Sequence, residues 1–230
     1  MKKETIRTQE KSFVEFTPII LLCYFKDNQG LLMKTLKKLL TIFVLSTIFF
    51  SCTKDNLDSR QFGIFKVLEG DTIIEMNGTI GKTSLSDFNK LNNAFVNVNT
   101  IYIRNCDGSS DDDVNLELSE KVHKKRINIH LMDNAEIASG GVDFFIAGKQ
   151  RTRGLNTYIG VHSWSRLFKT ATDFPRGHKY HLPYIDYYVI VGFSQKQAED
   201  FYYFTIYAAD ANSIHWMTED EISKHNLITH

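Results

Sequence analysis

Residues 127–148 read INIHLMDNAEIASGGVDFFIAG, and residues 158–162 read YIGVH. Residues 127–132 are predicted as a strand, their apolar and polar side chains alternating as far as Leu131. Ala138-Ser139-Gly140-Gly141 follows as a turn of small residues, and an apolar run then predicts a buried helix to about residue 147. Residues 158–162 are predicted as the next strand. Strand, turn, helix and strand in that order make a βαβ unit, which calls for parallel pairing. Ser139 stands where the helix begins, and His162 closes the strand twenty-three residues later. These are the residue types of a nucleophile and its general base. Each also has a plainer reading, Ser139 as a helix N-cap and His162 as a hydrogen-bonded structural histidine.

Similar units flank this one. Two strands are predicted at 64–68 and 72–78, joined by a Glu-Gly-Asp turn. Ser84 is the expected N-cap of a helix through residue 97, with Leu85, Phe88, Leu91 and Phe95 at helical spacing. Residues 100–104 form a short strand that enters the polar turn Asn105-Cys106-Asp107-Gly108-Ser109-Ser110. A helix follows over 111–125, with acids at its start and bases at its end, as the helix dipole favours. Helices are also expected at 181–191, 195–209 and 218–225. Strands alternating with helices predict an α/β fold with a mainly parallel sheet.

The 230 residues suffice for one such domain, and 27 basic side chains balance 27 acidic ones. That balance offers no field for nucleic acid. Cysteines at 23, 52 and 106 make no CxxC pair or Cys/His cluster, so no metal site and no structural disulfide are expected. Cys106 is read as a small core filler, and Asp111–Asp113 as dipole complements rather than cation ligands. The run Phe201-Tyr202-Tyr203-Phe204, with Tyr187 and Tyr188, is read as helix packing.

The N-terminal quarter has a different composition. Lys34, Lys37 and Lys38 precede an apolar run from residue 39 to 50, closed by Ser51 and Cys52. The run has the length of a signal-peptide core and is short for a membrane span. Its end resembles a bacterial lipobox, in which the cysteine is acylated and becomes the new N-terminus. The expected divisions are an extension at 1–32, with Met33 as initiator, a lipoprotein signal peptide at 33–51, a polar tether at 52–61 and a domain at 62–230. The implied location is the cell envelope, with lipid on Cys52 holding the chain to a membrane.

The order of motifs in the domain resembles the Clp protease proteolytic subunit and crotonase superfamily, and within it a secreted branch of Clp-protease-like proteins. In the protease members a strand ends in Asn-Ser-Pro-Gly-Gly, where this chain has Asn105-Cys106-Asp107-Gly108-Ser109. The family's nucleophile turn is matched by Ala138-Ser139-Gly140. Its Ala-Gly-x-x-Arg segment is matched by Ala147–Arg151, and its base by His162. The resemblance extends over residues 73–229. It implies stacked ββα units, a Ser139–His162 site, an oxyanion hole from the backbone N–H groups of Gly140 and of Gly108 or Ser109, a peptide or protein substrate, no cofactor, and assembly with further copies of the chain. The family's aspartate falls at Ser213 or Ile214, which cannot orient a histidine as a carboxylate does. Asp210 is the candidate third member, and the alternatives are a Ser-His dyad or a catalytically silent binding or scaffold protein. Acyl-CoA chemistry of the crotonase type fits poorly with export.

Overall fold

The computed structural model describes residues 60–229, so the expected extension, signal peptide and lipidation site lie outside the described residues. Strands β1 (Gln61–Phe62), β2 (Phe65–Val67) and β3 (Ile73–Asn77) form an antiparallel meander at one edge of an eight-stranded sheet. Arg60, within the expected tether, already belongs to the fold: its guanidinium donates to the Val67 and Leu68 carbonyls and pairs with Asp71.

Helix α1 (Ser84–Ala94) leads to β4 (Thr100–Cys106), and α2 (Asp112–Lys124) leads to β5 (Asn128–Ala138). After β5 come the short helix α3 (Gly140–Ile146), then β6 (Arg151–Arg153) and β7 (Tyr158–Val161). β3, β4, β5 and β7 pair in parallel, as the alternating elements predict. Ile74, Met76, Ile101, Ile103, Ile129, Leu131 and Ile137 all point inward and are buried. Phe88 and Leu91 of α1, and Leu118 and Val122 of α2, lie in the same core cluster. The opposite face keeps Glu75, Tyr102, Arg104 and His130 partly or fully exposed, which explains why these parallel strands alternate instead of reading apolar throughout.

Two expectations need correction. Ser84 is the first helical residue and not the N-cap, which is Thr83, and α1 stops at Ala94, three residues early. The Ser84 hydroxyl instead accepts from the Gly81 N–H at 3.0 Å. β5 does not end at Met132 but runs to Ala138. Asp133-Asn134 looks like a turn, yet the strand passes through it with Asn134 at φ 61°. The pair is held because Asp133 Oδ1 accepts from the Leu155 N–H at 2.8 Å and the Asn134 N–H donates to the Leu155 carbonyl. As a result β5 pairs with β6 along its first half and with β7 along its second. The second half carries the chain to Ser139.

The C-terminal part packs against this sheet. A small hairpin, β8 (Ser165–Arg166) and β9 (Lys169–Thr170), precedes helices α4 (Leu182–Ile190) and α5 (Gln195–Ala208). Strand β10 (His215–Trp216) then adds antiparallel to β7, and α6 (Glu219–Lys224) closes the chain. Tyr187, Tyr188, Phe201, Tyr202 and Tyr203 are buried within the fold itself.

Arg151 fastens this end. Its buried guanidinium donates to the carbonyls of Leu227 at 2.7 Å, Asn226 at 2.8 Å and Gly148 at 3.1 Å. Its backbone also exchanges hydrogen bonds with Thr229. Arg151→Met keeps the stem and strands these carbonyls without donors. The expected cost is about 3 kcal/mol, and thermal denaturation should show a midpoint roughly 10 °C lower. An unchanged midpoint would mean that water replaces the guanidinium freely.

Candidate active site

Ser139 follows the last residue of β5 and is the N-cap of α3, with φ 53° and ψ −129°. A residue with a Cβ rarely adopts that combination, which holds about 1–3 kcal/mol of strain. The turn is enforced from both sides. The Ser139 N–H donates to the Gly160 carbonyl of β7 at 3.0 Å, and its carbonyl accepts from the Val142 N–H at 2.8 Å. A Cβ on Gly141 would lie 2.7 Å from the Cys106 carbonyl oxygen, so only glycine lets α3 start this close to the end of β4. Cys106 itself is buried, and burial pushes its thiol up to about 11, in keeping with a filler and not a nucleophile.

The turn after β4 meets Ser139 directly. Gly108, at φ 136°, has its Cβ direction 3.0 Å from the Ser139 Cβ and 3.4 Å from Oγ. The N–H groups of Ser109 and Gly140 donate to no backbone acceptor among the described residues. The Ser109 hydroxyl donates to Asp112 Oδ1, and the Tyr184 hydroxyl donates to Asp112 Oδ2 at 2.5 Å. Asp111 is the N-cap of α2, accepting from the Val114 N–H at 3.2 Å.

His162 directly follows β7, next to β5, so parallel pairing sets it beside Ser139. Both line one cavity of about 50 Å³, together with Asp143, Tyr184, Tyr188 and Tyr202. Among the described residues no hydrogen bond joins Ser139 Oγ to the imidazole, as is common for catalytic pairs without substrate. His162 Nδ1 lies 2.8 Å from the carbonyl oxygen of Ser163. A carbonyl only accepts, so Nδ1 carries the proton, and Nε2 keeps the lone pair that a general base needs.

Asp210 lies just beyond α5 and is exposed. Its backbone carbonyl accepts from Ser213, while its carboxylate makes no hydrogen bond among the described residues. The adjacent Ala209 carbonyl accepts from the Ser163 N–H at 2.9 Å, so the chain passes the histidine segment without delivering the acid to it. Ile214, one of the two positions the resemblance gives to the family's aspartate, packs on Gly160: a Cβ there would lie 2.5 Å from the Ile214 Cγ2.

One acid in the cavity wall escaped the sequence reading. Asp143 stands four residues after Ser139 in the otherwise apolar V-D-F-F-I run. Tyr188 donates to its Oδ1 at 2.7 Å, and Tyr187 donates to its backbone carbonyl at 2.6 Å. Burial pushes its carboxyl up to about 7, against the opposing hydrogen bond from Tyr188. A lone carboxylate in a helix predicted to be buried was the available signal. Beyond the cavity, and sharing Asp112, Trp164 and Tyr184 with it, runs an open groove of about 300 Å³ walled by Asp111, Asp113, Arg166 and Tyr180.

The fold and the site together define an α/β domain with a strained serine at a strand-to-helix turn and an imidazole in the same cavity. No family model matches the chain, and no curated protein matches it. Among solved structures it is similar to a mutant of the 1510-N membrane-bound stomatin-specific protease, with 16% identity over 67% of this chain and 75% of that one and a TM-score of 0.44. It is also similar to ClpP1 from Listeria monocytogenes, at 13% identity over 69% and 89% of the two chains and a TM-score of 0.46. The ClpP protease catalytic domain from Plasmodium falciparum gives 18% identity over 69% and 83%, with a TM-score of 0.44. These are likenesses of chain path, and the chemistry rests on this chain's own residues.

Proposed function

We propose that this is a serine hydrolase of the cell envelope that cleaves peptide bonds with Ser139 and His162, held to a membrane by lipid on Cys52. The observation that carries the hydrolase reading is the backbone of Ser139, kept at φ 53° on the wall of the cavity it shares with His162. Ser139 Oγ attacks the substrate carbonyl carbon while His162 Nε2 takes its proton. The N–H groups of Gly140 and of Gly108 or Ser109 receive the oxyanion. His162 returns the proton to the leaving amine, and water then hydrolyses the acyl-serine by the same route. The Ser163 carbonyl stands in for a third side chain, accepting from Nδ1–H and steadying the imidazolium. The 300 Å³ groove is the approach for an extended segment. Self-association belongs to the same reading, as the resemblance implies.

The test is a fluorophosphonate probe on the purified full chain, with the modified peptide identified by mass spectrometry. Labelling on Ser139 is expected, and a protein that takes up no probe there refutes the hydrolase. One observation favours a silent binding protein, namely Ser213 and Ile214 where the resemblance expects an acid. The probe separates the two readings.

The anchor has its own check. The basic flank, the apolar run and Ser51-Cys52 support cleavage before Cys52. Intact-mass analysis of protein from the native membrane should find an acylated N-terminal Cys52. A mature chain that still contains residues 34–50 overturns this.

A further inference from the structure

Residues 165–180 carry four cations, Arg166, Lys169, Arg176 and Lys179, against one carboxylate, Asp173, in a chain that is neutral overall. That carboxylate is engaged in capping, accepting from the Thr170 N–H at 2.7 Å. At the front of the segment, β8 and β9 pair Arg166 with Lys169, so the two-residue turn between them is Leu167-Phe168. Leu167 is 92% exposed and Phe168 fully so, the most exposed large apolar residues among those described. Leu167 also takes φ 55°, a turn position where glycine or asparagine is the ordinary choice. A bulky residue there costs stability and, being exposed, recovers none by packing within the domain. The cations beside the tip are steadied on rings: Arg166 lies 5.7 Å from the Tyr180 ring centroid and Lys169 lies 5.2 Å from that of Phe174.

We propose that this hairpin is a membrane finger, inserting Leu167 and Phe168 into the interface of a bilayer rich in anionic lipid while Arg166, Lys169 and their neighbours meet its headgroups. Apolar tip and cationic collar complement the two layers of such a surface, acyl boundary and negative headgroups. Two apolar side chains alone would bind only weakly, and the collar supplies the rest and makes the interaction depend on lipid charge. The finger also borders the groove beside the candidate site, since Ser165 and Arg166 of β8 line that groove and Trp164, just before them, lines both the groove and the cavity. Docking would therefore fix which way the groove faces. The proposal requires neither acylation of Cys52 nor activity of Ser139.

The test uses the full chain carrying Phe168→Trp, reconstituted into phosphatidylcholine vesicles with or without phosphatidylglycerol, the acyl chains being brominated. The spectrum of the parent chain, with Trp164 and Trp216, is subtracted. With phosphatidylglycerol, the new indole should emit at shorter wavelength and be quenched by bromine, and without it neither should occur. Adding Arg166→Gln and Lys169→Gln should lower the docking constant about 30-fold, the equivalent of ~1 kcal/mol per cation. Solvent-like emission in both vesicle types overturns the proposal, as does quenching that ignores phosphatidylglycerol. A blue shift that grows with protein concentration and is insensitive to bromine also overturns it, because a second copy of the chain then covers the finger.

Discussion

Ser139→Ala is expected to abolish fluorophosphonate labelling and to lower peptide hydrolysis by at least about a thousand-fold, ~4 kcal/mol of transition-state stabilisation. The size follows from the chemistry, since without Oγ no acyl-enzyme forms and only binding and the backbone donors remain. Fold and stability should be nearly untouched, because alanine keeps the same backbone and the Ser139 side chain makes no hydrogen bond among the described residues. Ser139→Gly gives the complementary result. Glycine relieves the strain of φ 53° and ψ −129°, offset by its larger loss of chain freedom, for a net gain of about 1 kcal/mol. A glycine variant that is inactive yet melts a few degrees higher identifies a conformation kept for function. If both variants keep wild-type hydrolysis, the serine is a turn residue and the site lies elsewhere.

The same turn shows what could be read from residues alone. Ala-Ser-Gly-Gly between an alternating run and an apolar run specified a strand, a close-packed turn and a helix, and each is present because small residues alone let α3 abut β4. The strand predicted over 127–132 continues through Asp133-Asn134 because Leu155, twenty-odd residues away, satisfies these polar residues. The two-residue strands β8, β9 and β10 are too short for any periodicity to register. In the site, residue types marked Ser139 and His162, and pairing of β5 with β7 sets them side by side. The group behind the imidazole carried no signal, since a backbone carbonyl is present at every position and only the fold decides which one an Nδ1–H meets. Asp210 is near the expected position in sequence, and nearness in sequence says nothing of where a side chain points after a helix ends.

Asp143→Asn should stabilise the protein at pH 8 by about 2–4 kcal/mol, and the gain should vanish in acid. The carboxyl titrates near 7 in the folded protein and near the ordinary value of about 4 in the unfolded chain. Between those values the folded state binds more protons, so this group makes stability fall as pH rises from 4 to 7, after which the loss is constant. Below pH 4 both states hold the neutral acid, and asparagine then offers no advantage. The amide oxygen can still accept from Tyr188, whose 2.7 Å bond ties α4 to α3, so the variant removes a charge without breaking that contact. Urea denaturation of both proteins from pH 4 to 8 gives the difference directly and cancels every other titrating group. A constant difference across that range would mean that the carboxyl is hydrated through the cavity and titrates normally. Retaining an acid that costs stability at neutral pH suggests a use in the cavity. If that use is to favour the His162 imidazolium during Ser139 attack, the asparagine variant should lose turnover above pH 7 while keeping KM. Unchanged turnover at every pH would leave Asp143 with its tyrosine contacts and no part in the reaction.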